Sequence, residues 1–172
     1  MDITKDLGRG FKGEEIARRY LKERLCAHSV FHVNGYFPYF DLVAVFPNGR
    51  IISYEVKSDF KCAKTGNIAL EYEHDGYWTG ILKSLSERYL VVLDDELLDM
   101  SRVDLFNFIN NLDFKRIKGG DNNLSTFILV PHVELVSQEW VSRWYFGEKH
   151  EPEFKTPEYL HELVCREACD DS

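Results

Sequence analysis

Apolar side chains recur at helical spacing near the start of the chain. Between about residues 6 and 25 they form one side of a helix: Ile16, Ala17, Tyr20, Leu21 and Leu25. Charged residues take the opposite side: Glu15, Arg18, Arg19 and Lys22. This spacing predicts an amphipathic helix that packs one side against a core, and residues 29–33 predict a short strand after it.

A β-hairpin is predicted next. Residues 39–46 (YFDLVAVF) and 51–58 (IISYEVKS) are rich in β-branched and aromatic residues, and between them lie Asn48 and Gly49. An Asn-Gly pair between two such runs predicts two antiparallel strands. Residues 68–73 predict a further strand, and the continuous apolar run 88–93 predicts a strand that is buried on both faces.

The second half of the chain predicts helices around two more strands. Ser101 as an N-cap, with Asp104 three residues later, predicts a helix through about residue 111. Residues 114–131 predict two strands around a Gly-Gly-Asp-Asn turn, and residues 133–146 predict a helix. The large rings of that last segment are expected in the core or an interface: Trp140, Trp144 and Phe146. These elements predict one α/β domain over residues 1–147, built on a mixed sheet, and an acidic appendage with a short helix over residues 148–172.

Composition places the chain among ordinary globular proteins. Of its 172 residues, 44% are hydrophobic and 29% are charged, which suits one domain with a core of its own. No run of about 18 apolar residues occurs, so no membrane-spanning helix is expected. The N-terminal segment lacks the apolar stretch of a secretory signal, and we therefore expect an intracellular, cytoplasmic location.

The cysteines give little indication of a disulfide framework. There are four, which are few and scattered for a chain of this size: Cys26, Cys62, Cys165 and Cys169. Without a secretory signal, reduced thiols are expected. His161, Cys165 and Cys169 lie four residues apart on one side of a predicted helix, which leaves a zinc site as an alternative to an ordinary packed helix. Because no compact CxxC pair accompanies them, the packed helix is favoured.

The net charge of −8 is unusual for a protein that binds nucleic acid, since phosphate binding requires Lys and Arg. The charge is unevenly distributed along the chain. Residues 148–172 contain eight acidic and three basic residues, whereas residues 1–60 contain eight acidic and nine basic residues. A local basic face is therefore compatible with an acidic whole, and a metal site adds carboxylates of its own.

Glu55 and Lys57 lie two positions apart on the second strand of the predicted hairpin, so they share a face. An acid and a lysine at this spacing are often a solvent-exposed ion pair at the edge of a sheet. The same pair also suits a catalytic site, in which the carboxylate binds a cation and the ammonium group stabilises charge near an attacking water.

Asp41 favours the catalytic interpretation because it interrupts an apolar strand. Aspartate is depleted in strands and is costly to bury without a partner. The alternative is a capping or turn acid near the start of the strand. With Glu55 across the hairpin, Asp41 would form the kind of carboxylate pair that binds Mg²⁺ together with waters and phosphate oxygens.

The pairing register of the hairpin tests this interpretation. A two-residue turn at Asn48 and Gly49 makes the numbers of opposite residues sum to 97, which places Asp41 opposite Val56 and on the wrong face for Glu55. A bulge or a three-residue loop shifts that sum by one, and Asp41 then faces Glu55 or Lys57. The hypothesis therefore predicts a local irregularity in this hairpin.

Three segments in order resemble a known family. Residues 13–21 (GEEIARRYL), 40–44 (FDLVA) and 53–57 (SYEVK) resemble the helix–strand–strand signature of PD-(D/E)XK nucleases. Within that superfamily the chain is similar to Holliday-junction-resolvase-like members and to small phage or bacterial nucleases, and residues 65–73 (TGNIALEYE) resemble the strand that follows E-x-K in phage-type relatives. The resemblance covers roughly residues 10–95. It implies a restriction-endonuclease-like core, that is, a mixed central β-sheet flanked by helices. Phe40 replaces the proline of the family's name, and nothing after residue 95 matches.

The resemblance implies an enzyme that hydrolyses DNA phosphodiester bonds with Mg²⁺ or Mn²⁺, as an endonuclease that could be selective for Holliday junctions or other branched DNA. Asp41 and Glu55 would be the metal ligands, Lys57 the catalytic lysine and Glu14 the helix acid that completes the site. The helical wheel favours Glu14 over Glu15, because Glu14 borders the apolar side of the helix. Symmetric DNA substrates would suit a homodimer.

Further candidate contacts are less determined. Glu71 is a possible additional site residue, with a surface ion pair as the alternative. Two groups are candidate DNA contacts, with a solvated surface favoured for each: Lys61, Lys64 and Thr65, and Arg18, Arg19 and Lys22. Tyr77 and Trp78 could stack on a base, although packing within the protein is favoured for them.

Two alternatives come from other classes of protein. The chain could be a catalytically inactive binding or assembly module on the same fold, with its acidic tail serving a protein partner. Retention of all three strand residues disfavours that alternative. It could also be an unrelated α/β protein in which Asp41, Glu55 and Lys57 form a structural ion-pair cluster. Binding of Mn²⁺ that depends on Asp41 would distinguish the nuclease from both.

Overall fold

The structure is a computed structural model that describes residues 3–33, 37–111, 115–119 and 124–146, with the side chains of residues 3–11 left out. The predicted acidic appendage (148–172), the zinc alternative at its cysteines and residues 120–122 of the predicted Gly-Gly-Asp-Asn turn lie outside the described residues. In chain order the elements are α1 (Ile3–Glu23), β1 (Ser29–His32), β2 (Leu42–Val45), β3 (Ile51–Ser58), α2 (Cys62–Thr65), β4 (Asn67–His74), β5 (Tyr77–Trp78), α3 (Gly80–Lys83), β6 (Arg88–Val92), β7 (Glu96–Ser101), α4 (Arg102–Asn111), β8 (Lys115–Gly119), β9 (Ser125–Pro131), α5 (His132–Val136) and β10 (Val141–Tyr145).

Two sheets organise the described part of the chain, which is of the α/β class. The first sheet has six strands in the order β1-β2-β3-β6-β7-β10, and the second has four in the order β5-β4-β9-β8. The first sheet is mixed: β3 and β6 are parallel, and the other neighbouring pairs are antiparallel. The predicted α/β class and mixed sheet are therefore confirmed.

Helix α1 covers one face of the first sheet. Its apolar side packs Tyr20 and Leu21 against Leu42, Tyr54 and Leu90. This is the amphipathic helix that the spacing predicted, and its burial removes a continuous apolar stripe from water. Gly13 brings the helix close to β3, because a Cβ at this position would overlap the Ser58 hydroxyl and lie 3.2 Å from the Ser58 Cβ. The middle of α1 therefore lies beside the end of the strand that carries Glu55 and Lys57.

The opposite face of the first sheet shares a second core with the four-stranded sheet and the short helices. Strand β6 separates the two cores: Leu90 and Val92 belong to the first, whereas Tyr89 and Val91 belong to the second with Leu70 of β4. All five residues of β6 are buried, which confirms the prediction from its continuous apolar run. Among the described residues, no helix is long and apolar enough to cross a membrane.

The predicted helix over residues 133–146 is wrong. Only the short α5 forms there, and β10 follows and pairs with β7. The residues of β10 alternate between the two faces of the first sheet. Trp144 lies in the first core, whereas Arg143 lies on the face of Val141 and pairs with the buried Glu96 (Nη2 to Oε2, 2.8 Å). Trp140 packs against the second core and Phe146 against the first, so the expected burial of these rings is confirmed.

Strand β7 was not predicted from the sequence, and its acidic residues are atypical of a buried strand. Asp99 is fully buried and accepts hydrogen bonds from Arg88 Nε (2.6 Å) and the Tyr20 hydroxyl (2.9 Å). Glu96 is buried as well and is bonded to His132 Nε2 (2.6 Å). Buried carboxylates persist where such partners satisfy them, and these partners are distant in sequence.

Candidate active site

The hairpin of β2 and β3 has a three-residue loop. Leu42 pairs with Tyr54 and Val45 with Ile51, so opposite residue numbers sum to 96. The Phe46 N–H donates to the Arg50 carbonyl (2.9 Å), and Gly49 takes a positive φ of 80° in the loop. The predicted departure from two-residue pairing is confirmed, in the form of the longer loop.

Asp41 lies at the point where the pairing of β2 with β3 ends. Its N–H donates to the Tyr54 carbonyl (2.9 Å), and its Oδ2 accepts the N–H of Val56 (2.7 Å). The Asp41 side chain thus accepts the Val56 N–H, which a backbone carbonyl would accept if the pairing of the two strands continued. Because Val56 stands between Glu55 and Lys57, this bond fixes the Asp41 carboxylate beside both of them.

Glu55 and Lys57 alternate with Tyr54 and Val56, which face α1 and the first core. Their side chains therefore lie on the opposite face, where Glu55 is level with Tyr89 of β6. Burial, and next the neighbouring charge of Asp41, raise the pKa of Glu55 from 4.5 to about 8, against a hydrogen bond with Ser84 and the charge of Lys57. Burial also raises the pKa of Asp41, opposed by the hydrogen bond from Val56.

Glu14 of α1 joins this group from the helix side. Its charge contributes to the raised pKa of Asp41, whereas the charges of His32 and Lys57 oppose it. His32 Nδ1 lies 3.1 Å from Glu14 Oε2, which ties the helix acid to β1. Glu15, by contrast, accepts a hydrogen bond from Arg18 Nε (2.9 Å) on the solvent side. The structure thus brings Glu14, rather than Glu15, towards Asp41.

Glu71 borders the same site from the second sheet. Burial raises the pKa of Tyr89, and the charges of Glu55, Asp41 and Glu71 add to that rise, so all three carboxylates lie near enough to act on its hydroxyl group. Glu71 is the cross-strand partner of Phe127, and Lys57 Nζ lies 5.8 Å from the centroid of the Phe127 ring. Glu71 also lies 3.8 Å from His74 Nδ1, so both sequence interpretations of this residue describe part of its surroundings.

The candidate DNA contacts are not drawn into the site. Lys61 and Lys64 are exposed around α2, and the Thr65 hydroxyl donates to backbone oxygens of its own turn. Arg18 is bonded to Glu15, and Lys22 is exposed on the outer side of α1. A solvated surface describes these side chains as they stand.

The expectation that Tyr77 and Trp78 pack inside the protein is wrong. They form β5 at the edge of the second sheet and are 76% and 70% exposed. The two-residue strand pairs only with the end of β4, at Glu73 and His74, and this leaves both rings in solvent.

Three residues of the site were missed in the sequence: His32, Ser84 and Tyr89. Tyr89 follows from the parallel pairing of β3 with β6, which periodicity does not reveal. Ser84 lies in the connection after α3, whose course depends on tertiary packing. His32 could have been noticed, because it is an ionisable residue in the predicted strand β1, which pairs with β2, and β2 begins directly after Asp41.

The carboxylate oxygens of the site fit a hard divalent cation, although the described side chains do not complete its coordination by themselves. Among the described residues, no three His, Cys, Asp or Glu side chains are grouped closely enough to hold a metal ion by themselves. Mg²⁺ needs only one or two protein carboxylates, with waters and phosphate oxygens as the other ligands. Asp41 and Glu55 supply such a pair, and their mutual repulsion is what a cation would relieve.

Comparisons with protein-family models, with curated proteins and with solved structures found no match. The chemistry of the site must therefore be judged from its own residues. Two partly buried carboxylates beside a lysine, with a third carboxylate on an adjoining helix, can hold a cation and stabilise charge that develops on a phosphoryl group.

Proposed function

We propose that this protein is a metal-dependent nuclease of the PD-(D/E)XK type that hydrolyses DNA phosphodiester bonds, as an endonuclease. The observation that carries the proposal is the bond from the Val56 N–H to Asp41 Oδ2 at 2.7 Å, which holds Asp41 beside Glu55 and Lys57. Regular two-residue pairing would have separated these groups onto opposite faces.

The arrangement of elements supports a restriction-endonuclease-like core. A helix is followed by three antiparallel strands, and the third of these pairs in parallel with β6 in a mixed sheet. The candidate residues come from α1, from the start of β2 and from the end of β3. This is the order of segments on which the resemblance to the nuclease superfamily rests.

Asp41 and Glu55 would hold the cation. When bound, Mg²⁺ or Mn²⁺ would polarise the phosphoryl group and lower the pKa of a water. The raised pKa of Glu55 supports this assignment, because the site as it stands disfavours two negative charges. Glu14 adds a third carboxylate next to Asp41, directly or through a water.

Lys57 would act on the nucleophile and the transition state. Its ammonium group lies on the same face as Glu55 and close enough to Asp41 and Glu55 to lower the pKa of both carboxyl groups. A positive charge there stabilises a forming hydroxide and the negative charge that develops on the phosphoryl oxygens. In-line attack of water on phosphorus then releases the bridging oxygen of the DNA chain.

Cleavage by three single variants tests the proposal: Asp41→Asn, Glu55→Gln and Lys57→Ala. Each should lose cleavage of fluorescent DNA substrates in Mg²⁺ or Mn²⁺ while its thermal unfolding stays cooperative. Three exposed positions provide matched controls that should cut normally: Asp75→Asn, Glu87→Gln and Lys115→Ala. Duplex, single-stranded and four-way-junction substrates tested side by side would define any structural preference.

The outcome that overturns the proposal is equally specific. If the three site variants cut DNA as the wild type does, the assigned residues are not catalytic. If the wild type cuts no substrate and its calorimetric titration with Mn²⁺ shows no binding that depends on Asp41, a binding module or a structural ion-pair cluster replaces the nuclease.

A further inference from the structure

Exposed apolar side chains border the candidate site on the side of β2. Phe37 and Tyr39 are 42% and 37% exposed and precede Asp41 by four and two residues. The Phe37 ring meets the Tyr39 ring edge to face at 5.3 Å between centroids, and it meets the Phe40 ring at 4.7 Å. Leu85, which is 65% exposed, adjoins them through its backbone. These four residues are named the aromatic rim.

The backbone of the aromatic rim is fixed to the site. The Tyr39 carbonyl oxygen accepts the N–H of Leu85 (2.9 Å) and lies 2.9 Å from the Ser84 hydroxyl. Ser84 also lies close enough to Glu55 to lower the pKa of that carboxyl group, against the larger effect of burial. Ser84 thus lies next to both the Tyr39 backbone and Glu55, so the rim is held beside the site.

The chemistry of the rim suits planar uncharged groups. Residues 37–40 (FPYF) and 84–86 (SLS) contain no charged side chain, and the whole chain carries a net charge of −8. Phosphate groups are bound most strongly by cations, so this surface offers no charged contact to a DNA backbone. The faces of nucleobases, by contrast, stack on aromatic rings whatever their sequence.

We propose that the aromatic rim binds unpaired nucleobases next to the phosphate that Asp41 and Glu55 act on. The inference rests on the proposed nuclease function and narrows its substrate to DNA with single-stranded or splayed bases near the cleavage position. Bases within an intact duplex are stacked on one another, and their faces are not available to protein rings.

Fluorescence anisotropy tests this proposal by measuring the affinity of the full chain, in Ca²⁺, for a fluorescein-labelled thymidine oligonucleotide and for the matching duplex. Tyr39→Ala and Phe37→Ala should each weaken single-strand binding by about 5- to 100-fold, the range expected for loss of one stacked base. Duplex binding should change by less than about twofold. Tyr39→Phe keeps the ring and should restore single-strand affinity. Val133→Ala removes an exposed apolar side chain of α5 (71% exposed) and should leave single-strand affinity unchanged.

Several results would overturn the inference. Unchanged single-strand affinity in Tyr39→Ala and Phe37→Ala would show that the rim does not contact bases, as would an equal loss in Val133→Ala. A change of oligomeric state in these variants, measured by light scattering, would instead assign the rim to a contact between copies of the chain. Failure of the inference stays distinct from failure of the nuclease proposal. If only the rim inference fails, the rim variants cut single strands normally while Asp41→Asn does not. If only the nuclease proposal fails, the wild type cuts nothing although single-strand binding still depends on Tyr39.

Discussion

Replacement of Glu55 by glutamine should stabilise the metal-free protein, and the stabilisation should grow with pH. The pKa of Glu55 is raised from 4.5 to about 8 in the folded protein, mainly by burial and by the charge of Asp41. The folded state therefore keeps a proton that the unfolded chain has already released. Between these two pH values the unfolded chain binds fewer protons, so the free energy of unfolding of the wild type falls as pH rises.

The size of the effect follows from the same shift. Each unit of pKa difference corresponds to about 1.4 kcal/mol, so the carboxylate costs the wild type about 3 to 5 kcal/mol above pH 8. Glutamine resembles the protonated acid and does not titrate. The stability difference between Glu55→Gln and the wild type should be close to zero at pH 4.5, about 2 kcal/mol at pH 6 and largest above pH 8.

Urea unfolding in EDTA between pH 5 and 9 measures this difference, with tryptophan fluorescence as the probe because Trp144 lies in the first core. Glu87→Gln replaces an exposed glutamate and should show no such trend. Saturating Mn²⁺ should stabilise the wild type by about 2.7 kcal/mol at 100 times its dissociation constant, and the Gln variant by less. A difference that stays flat with pH, or that favours the wild type at pH 8, would refute the burial and charge argument.

Two further predictions concern the helix side of the site. His32→Ala should lower kcat more than it raises KM, because Glu14 loses the partner that holds it near Asp41. His32→Asn keeps a donor at the Nδ1 position and should recover most of the loss. Equal activity of the two variants would contradict this role of His32. Gly13→Ala should lower stability in urea unfolding, because the clash of its Cβ with the Ser58 side chain opposes the ~1 kcal/mol that alanine gains over glycine within a helix. Ser58→Ala in the same chain should remove the clash and turn the loss into a gain. If Ser58→Ala has the same effect in the wild type as in the Gly13→Ala variant, the two residues are not in close contact.

Local patterns predicted the parts of the fold that depend on local physics. The spacing of Ala17, Tyr20 and Leu21 predicted α1, and the alternation of β3 predicted that Glu55 and Lys57 share a face. The pairing of the hairpin could also have been derived. A two-residue turn requires Pro47 to donate a backbone N–H to Arg50, which proline cannot do.

The hydrophobic pattern of the hairpin contained the same answer. In the observed register Leu42 and Ala44 lie opposite Tyr54 and Ile52, and all four are buried on the face that α1 covers. A register shifted by one would have placed these apolar residues opposite polar ones, and a buried face selects against that. The position of Asp41 was therefore determined by core packing on the other side of its own strand.

What could not be predicted depends on partners that are distant in sequence. Strand β7 is buried despite Asp99, because Arg88 and Tyr20 satisfy that carboxylate. Ser84 joins the site through a connection that Tyr39 fixes from 45 residues away. Such contacts exist only once the sheet has assembled, and they leave no periodic signal in the chain.

At position 41, folding and catalysis have different requirements: folding needs an acceptor for the Val56 N–H, whereas the proposed catalysis needs a carboxylate. An asparagine there retains a side-chain oxygen that can accept the Val56 N–H, whereas alanine would leave that amide without its partner. A library of variants selected only for folded protein should therefore recover both Asp and Asn at position 41. The same library selected for cleavage should recover Asp alone, and the difference between the two would measure how far natural selection at this residue acts on chemistry.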